Sequence, residues 1–308
     1  MKLIVPTHHS RAIQRISDAL AADASLLGHE VARPETIRKD VHRSRPIEGE
    51  ADGDVLVMLV NGLHDHFYYQ ADRCRKRGQK FAVVQIALRT TRQPSTNQWR
   101  ELWRDATVVW SYYPIADWIA ADGGDPVDFN FYHAPLGVDA SVFTPEPAVA
   151  RDVLVCTSGF RRSQEGVGEC DDAAAALKAK VFQLGPQYSM KSETIFKTGI
   201  SDEELAAMYR RCRFVSGLRR HEGFELPAAE GLLCGARPVM YDQPHYRQWF
   251  GDWAEYVAER DPKSVTLDLV ALFQTGGRYV TEAERKAAAA RFNWSRISRD
   301  FWATGGVE

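Results

Sequence analysis

Short apolar runs alternate with amphipathic stretches along the whole chain. "KLIVP" is closed by Pro6 and reads as a buried strand. Ile13, Ile16, Leu20, Leu26 and Leu27 then fall close to helical spacing, and Gly28 stops that helix ahead of "HEVARP". "DVLVMLV" (54–60) and "FAVVQIAL" (81–88) read as further strands with a helical stretch between them. Ser95 and Gln98 have capping-box spacing, which predicts a helix carrying Trp99, Leu102, Trp103 and Ala106 on one face as core packing. "TVVWS" gives the next strand.

Residues 133–150, "HAPLGVDASVFTPEPAVA", are rich in Pro, Ala and Val without a clear period and read as a linker. Beyond them the alternation restarts: strand "DVLVCTS", a helix containing "DDAAAALKA", then strand "KVFQLG". "SDEELAAMYRRC" follows, with Ser201 and Glu204 as a second capping box, and then strands "RFVSGL" and "RPVMYD". Strands alternating with helices predict parallel sheets covered on both faces, here as two consecutive α/β units.

Composition adds little to this picture. The chain has 308 residues, 44% hydrophobic and 26% charged, with a formal charge of −2, which argues against a dedicated nucleic-acid or membrane-surface protein. Five scattered cysteines without a C-x-x-C pair read as buried, reduced thiols. The N-terminus turns polar at Pro6, unlike a signal peptide, and no apolar run approaches a membrane span, so a cytoplasmic location is expected.

"RRHEGFELPAAEGLLCGARPV" (219–239) carries the candidate chemistry. Pro227 suits the first turn of a helix and Gly235 the residue past its end, which predicts a helix over about 227–234 with Glu222 in the loop before it. That loop follows a strand's carboxyl end, where open parallel sheets place ligands. Amides at the helix start suit a phosphate, and Glu230, one turn in, suits a diol such as ribose. Spacing alone leaves a second reading open, a pair of solvated surface carboxylates.

The stretch "EGFELPAAEGLLCGARPV" resembles the signature of retaining GT-B glycosyltransferases of the two-glutamate, family 4-like type. "TGISDEELAAMYRRCRFVSGL" is similar to that family's lead-in, and "APLGVDASVFTP" to its interdomain linker, with Leu136 in place of the usual asparagine. "ARFNWSRIS" resembles its C-terminal tryptophan helix, which crosses back onto the N-terminal domain. The resemblance implies a GT-B fold of two Rossmann-like domains facing across a cleft. Residues 1–138 with 292–308 would form the acceptor domain, and 139–291 the nucleotide-sugar domain. Glu222 would stabilise positive charge at the anomeric carbon and Glu230 would bind ribose, while backbone amides of Gly223, Phe224, Glu225 and Leu226 hold sugar and phosphates. A UDP-sugar co-substrate is implied, with no other cofactor and no metal.

Several positions depart from the family pattern. Gly159 and Gly166 keep its glycine spacing, but Phe160 and Glu165 stand where its phosphate-clamping arginine and lysine are expected. Arg161 or Arg162 can serve from a shifted loop or be surface charge, and Arg219 and Arg220 are further donor-binding candidates. Glu225 replaces the family's second glycine. In the N-terminal half, His8 and His9 stand in place of a Gly-Gly pair and either contact ligand or cap the helix starting near Ser10. The "HDH" at 64–66 lacks a matching carboxylate or cysteine cluster, so it reads as a loop or helix start.

Residues 73–104 hold nine Lys and Arg against the single acid Glu101. Arg89 and Arg92 follow a strand end on the expected acceptor side. Together these fit an anionic acceptor, a phospholipid, an acidic saccharide or DNA with a hydroxymethylated base, and leave a neutral small molecule open as the alternative. Two other functions stay open, a non-catalytic sugar-nucleotide-binding module and a sugar-nucleotide epimerase on the same fold.

Overall fold

Runs of buried β-branched residues become parallel strands in both halves of the chain. The computed structural model describes all residues except 37–44, 62–64, 87–95, 122, 160–164, 221 and 308. It divides into two units, Met1–Gly137 with Trp294–Glu308, and Val138–Asn293.

In the first unit, β1 (Lys2–Ile4), β2 (Glu30–Ala32), β3 (Val55–Val60), β4 (Lys80–Gln85), β5 (Val109–Ser111) and β6 (Phe131–His133) form one sheet in the order β2-β1-β3-β4-β5-β6. Every pairing is parallel. All of β3 is buried, which is why "VLVMLV" shows no polar alternation: both its faces are covered. The first helix, α1 (Arg11–Leu26), buries Ile13, Ile16 and Leu20. Leu26 and Leu27, counted in the same stripe from sequence, are exposed, because the buried face ends with Ala24. Helices α2 (Asp65–Arg77), α3 (Thr96–Trp103) and α4 (Ile115–Ala121) follow. On α3, Trp99 and Trp103 stack, and the Trp103 indole N–H donates to Gln85 at 3.0 Å, so the tryptophan stripe is core. Its expected cap, Ser95, lies outside the described residues.

In the second unit, β7 (Val153–Ser158), β8 (Lys180–Leu184), β9 (Glu193–Lys197), β10 (Cys212–Gly217), β11 (Arg237–Tyr241) and β12 (Glu255–Val257) form a second parallel sheet, ordered β12-β11-β10-β7-β8-β9. Its helices are α5 (Val167–Ala176), α6 (Asp202–Arg211), α7 (Leu226–Leu233), α8 (Pro244–Phe250), α9 (Pro262–Thr275) and α10 (Glu282–Arg291). The α6 capping box is made in full by Ser201 and Glu204. The last helix, α11 (Trp294–Thr304), belongs to the first unit. Its Ser295 and Ser298 hydroxyls donate to the buried Asp23 carboxylate of α1, and Trp302 Nε1 donates to the Leu20 carbonyl at 3.0 Å. No helix among the described residues is long and apolar enough to cross a membrane.

Arg237, at the start of β11, is 2% exposed and anchors the irregular chain that leads into α10. Its guanidinium donates to the carbonyls of Arg278, Trp253 and Tyr279, and forks onto the Glu284 carboxylate at 2.9 and 3.2 Å. Removing one partner of a buried charge pair costs roughly 3–5 kcal/mol, because the other is left uncompensated. Arg237→Met is expected to lose about that much, read as a lowered denaturant midpoint at unchanged slope. A loss under about 1 kcal/mol would show that the site tolerates the cut.

Candidate active site

Sheet topology fixes where a ligand can enter the second unit. From β7 the chain moves one way through β8 to β9, and later fills the other side of β7 with β10, β11 and β12. The direction reverses between β7 and β10, and the crevice beyond their carboxyl ends is where open α/β sheets bind ligands. Ser158 and Gly159 leave β7 there, and Gly217 to Arg219 leave β10 beside them.

Arg219 bridges the two strand ends. Its guanidinium donates to the Ser158 carbonyl at 2.6 Å and the Ser158 hydroxyl at 3.0 Å, pairs with Glu165, and lies 3.4 Å from the Glu225 carboxylate. Burial works against its charge, but Glu225, Glu165 and Glu222 hold it protonated. A Cβ on Gly159 would meet the Glu165 side chain, so glycine there lets Glu165 lie where it pairs with Arg219. Gly166 starts α5 at φ +63°, the left-handed region. The Gly159 carbonyl accepts the Tyr188 hydroxyl at 3.1 Å.

Glu225 is extended (φ −109°), so the glycine of the family pattern is dispensable at this backbone. Its side chain is 2% exposed and lies over Gly217 at the carboxyl end of β10. Burial pushes its carboxyl up to about 8; Arg219 and the Tyr246 hydroxyl oppose the rise, while Glu222 and Glu165 add to it. Tyr246 also donates to the Arg219 carbonyl at 3.0 Å.

Glu222 is exposed in the loop ahead of α7, close enough to Arg219 and Glu225 to perturb both. The half-buried His245 ring is hydrogen-bonded to the Glu222 backbone. Glu230, on α7, is buried and accepts the Tyr209 hydroxyl of α6 at 3.2 Å; burial and that carboxylate push the Tyr209 phenol well above its ordinary range. The expected helix is present one residue earlier, Leu226–Leu233, with Glu225 as N-cap and no side-chain capping bond. Its first turn follows the loop at the carboxyl end of β10 and has no side-chain cap, which leaves amides there without a capping partner.

Other sequence candidates are engaged elsewhere. The Phe224 ring packs on Phe250 and Phe292, so only its backbone faces outward chemistry. Arg220 lies over the Tyr241 ring and pairs with Glu259 at 2.8 Å and the buried Glu169 at 3.5 Å. Arg161 and Arg162 lie outside the described residues. Sequence reading did not find Tyr209, Tyr246 or His245. The last two sit in "DQPHY", just past the carboxyl end of β11, and that position was the available signal.

The first unit reverses direction between β1 and β3. His8 follows β1, accepts the Ser10 amide on Nδ1 at 2.9 Å, and places Nε2 3.4 Å from Asn61, which follows β3. Burial and the stacked His9 ring push His8 down to about 4, so it is neutral at physiological pH. Ser10 is the α1 N-cap residue. The basic run is largely neutralised: Arg73 and Arg77 pair with the buried Glu50, Arg75 with Asp105, Lys76 with Asp72 and Arg104 with Glu101. Arg89, Arg92 and His64 lie outside the described residues. Among the described residues no three His, Cys, Asp or Glu side chains gather as metal ligands would.

No family model matches the chain. Over 186 residues it is 25% identical to the MMP α-(1→4)-mannosyltransferase of Mycolicibacterium hassiacum, covering 53% of this chain and 45% of that enzyme. A shorter match, 34% identical over 58 residues, is to the serotype-specific mannosyltransferase WbdA of Escherichia coli, covering 18% of this chain and 7% of that protein. The chain thus spans less than half the length of these curated relatives. Among solved structures it is similar to the Anabaena protein HepE in complex with UDP-glucose, with TM-score 0.75, 11% identity and full coverage of both chains. It is also similar to sucrose-phosphate synthase from Thermosynechococcus elongatus, with TM-score 0.72, 13% identity and coverage of 98% and 97%. Two parallel six-stranded sheets with their helices make this the GT-B glycosyltransferase fold.

Proposed function

We propose that the chain is a retaining glycosyltransferase that moves a sugar from a nucleotide diphosphate sugar to an acceptor hydroxyl. The observation that carries this reading is the placement of the Glu222–Glu230 motif at the direction-reversal edge of the second sheet. There Glu222 is exposed in the loop and Glu230 is held by Tyr209 on the helix behind it. The mannosyltransferase relatives and the UDP-glucose complex of HepE support a hexose carried on a nucleoside diphosphate, with UDP as the preferred carrier.

In this reading Glu230 accepts the ribose hydroxyls, as an acceptor-only carboxylate must take its bonds from donors. Arg219, together with Arg161 and Arg162 on the preceding loop, offsets the diphosphate charge. The amides from Gly223 to Leu226 approach the phosphates and sugar, and the uncapped start of α7 favours the anion. Glu222 then stabilises charge at the anomeric carbon as the leaving group departs, which is where preorganised electrostatics lower a barrier. With a guanidinium and a helix end opposite the leaving group, the transfer is proposed to run without a metal. The acceptor belongs to the first unit, at His8, His9 and Ser10. An anionic acceptor rests on Arg89 and Arg92 alone, since the other cations of the basic run that form pairs do so with acids of this chain.

NMR of the product anomer, with donor hydrolysis as the fallback reaction, is expected to give retained configuration, unchanged by a chelator. An inverted product would remove the retaining assignment, and loss of activity on chelation would remove metal independence.

Glu230→Ala is expected to weaken donor binding by about 10- to 150-fold, since a hydrogen bond to a charged group is worth roughly 1.5–3 kcal/mol. Glu222→Ala is expected to lower kcat with little change in donor affinity, because its partner charge exists mainly in the transition state. Calorimetry of donor binding alongside steady-state rates separates the two. Equal donor affinity in the wild type and Glu230→Ala would take ribose recognition away from Glu230.

A further inference from the structure

Among the described residues, the cluster at the β7–β10 crevice sets two carboxylates, Glu165 and Glu225, against one guanidinium, Arg219. Glu165 already pairs with the Arg219 guanidinium, and Ser158 takes two more of its bonds. Glu225, the more deeply buried of the two acids, reaches Arg219 only at 3.4 Å. One guanidinium does not fully neutralise two acids in a largely buried site, and like charges sharing a site cannot both ionise cheaply. The groups that face Glu225 are Arg219 and Glu222 from its own loop, Glu165 from the β7–α5 loop, and the Tyr246 hydroxyl from α8. Their sum is negative whenever Glu225 is ionised.

We propose that this triad makes nucleotide-sugar binding proton-linked: the incoming diphosphate draws on Arg219, and Glu225 takes a proton from solvent to let it do so. The proposal rests on the donor reading above and adds a second ligand, the proton, to the same site. A diphosphate brought to the crevice adds negative charge next to Glu225 and competes with it for the guanidinium. Both effects favour the neutral acid. A protonated Glu225 makes no claim on Arg219, whose Nε–H edge is then available to a phosphate oxygen. By reciprocity, whatever the diphosphate does to the proton the proton does to the diphosphate, so affinity falls as the pH rises through the titration of the free site. That titration is centred at about 8, because burial and the neighbouring acids outweigh Arg219.

Glu165 sets the position of this titration. Its removal as a charge would leave Arg219 to Glu225 alone, so that Glu225 ionises at lower pH and the loss of affinity begins at lower pH with it. Glu225→Gln deletes the titrating group and keeps its shape. The two substitutions therefore separate the roles, one removing the linkage and the other moving it, and neither opens a cavity.

The experiment is isothermal titration calorimetry of the full chain with UDP-glucose and, separately, GDP-mannose. Each is run between pH 6.5 and 8.5 in buffers of differing ionisation heat. The wild type is expected to take up about half a proton per nucleotide sugar at pH 8, and to bind about fourfold more weakly at pH 8.5 than at 6.5. Glu225→Gln is expected to show no buffer-dependent heat at pH 8 and a flat affinity profile, whereas Glu165→Gln is expected to shift the loss of affinity to lower pH. Binding by the wild type without proton uptake would overturn the linkage and leave the donor reading standing. Uptake that persists in Glu225→Gln would move it to another group and equally overturn the assignment. If neither nucleotide sugar binds at any pH, the donor reading falls and this inference falls with it.

Discussion

Arg219 ties together the two strand ends between which the second sheet reverses direction, and the candidate site is arranged around that tie. Its bonds to Ser158 fix the end of β7 against the end of β10, and its carboxylate partners come from the loops that follow each strand. The crevice is therefore closed at its base by a charged knot rather than by apolar packing. Such a knot contributes little net stability, since desolvation offsets most of the attraction. It does dictate geometry. Without the guanidinium, Glu165 and Glu225 would confront each other in a buried space, and the loop carrying Glu222 would lose the group against which it is set.

The two units meet the same topological requirement with different chemistry. In the first, the reversal between β1 and β3 brings together His8 and Asn61, a neutral imidazole and an amide. In the second, the reversal between β7 and β10 gathers two carboxylates and a guanidinium. Parallel connectivity determines that each sheet has one such edge, and the residues after the strands decide what the edge can hold. An uncharged, donor-and-acceptor edge suits hydroxyls, and a charged one suits an ionic ligand. That contrast supports the proposal that the first unit serves the acceptor and the second the donor.

Much of this order could be read in the sequence because it is local. The α6 capping box, the proline and glycine bounding α7, and the unbroken apolar run of β3 depend on neighbours a few residues away. Strands β2, β6, β9 and β12 were not anticipated, because three to five mixed residues with half-buried faces carry no period strong enough to separate them from loop. The stripe on α1 was read too long, since Leu26 and Leu27 have helical spacing but no surface to cover. In the site, Glu222 and Glu230 stood out through their motif. Arg219 stood out only as a nearby cation, and Tyr209 not at all. Its partner, Glu230, is 21 residues away, and no pattern along the chain encodes that contact.

The departures at Glu165 and Glu225 make sense together and not singly. Each replaces a cation or a neutral glycine with a carboxylate where a diphosphate is proposed to bind, and either alone would oppose the ligand. With Arg219 inserted between them, Glu165 becomes the arginine's tether and Glu225 its proton-dependent competitor. At a pH below about 8 the triad carries one positive and one negative charge and one neutral acid, so it does not repel a diphosphate as two free carboxylates would. In the proposed donor complex the amides at the start of α7 add partial charge that carries no proton. A crevice built this way would hold a diphosphate through backbone dipoles together with its arginines, and its carboxylates would set the pH range over which that hold is effective.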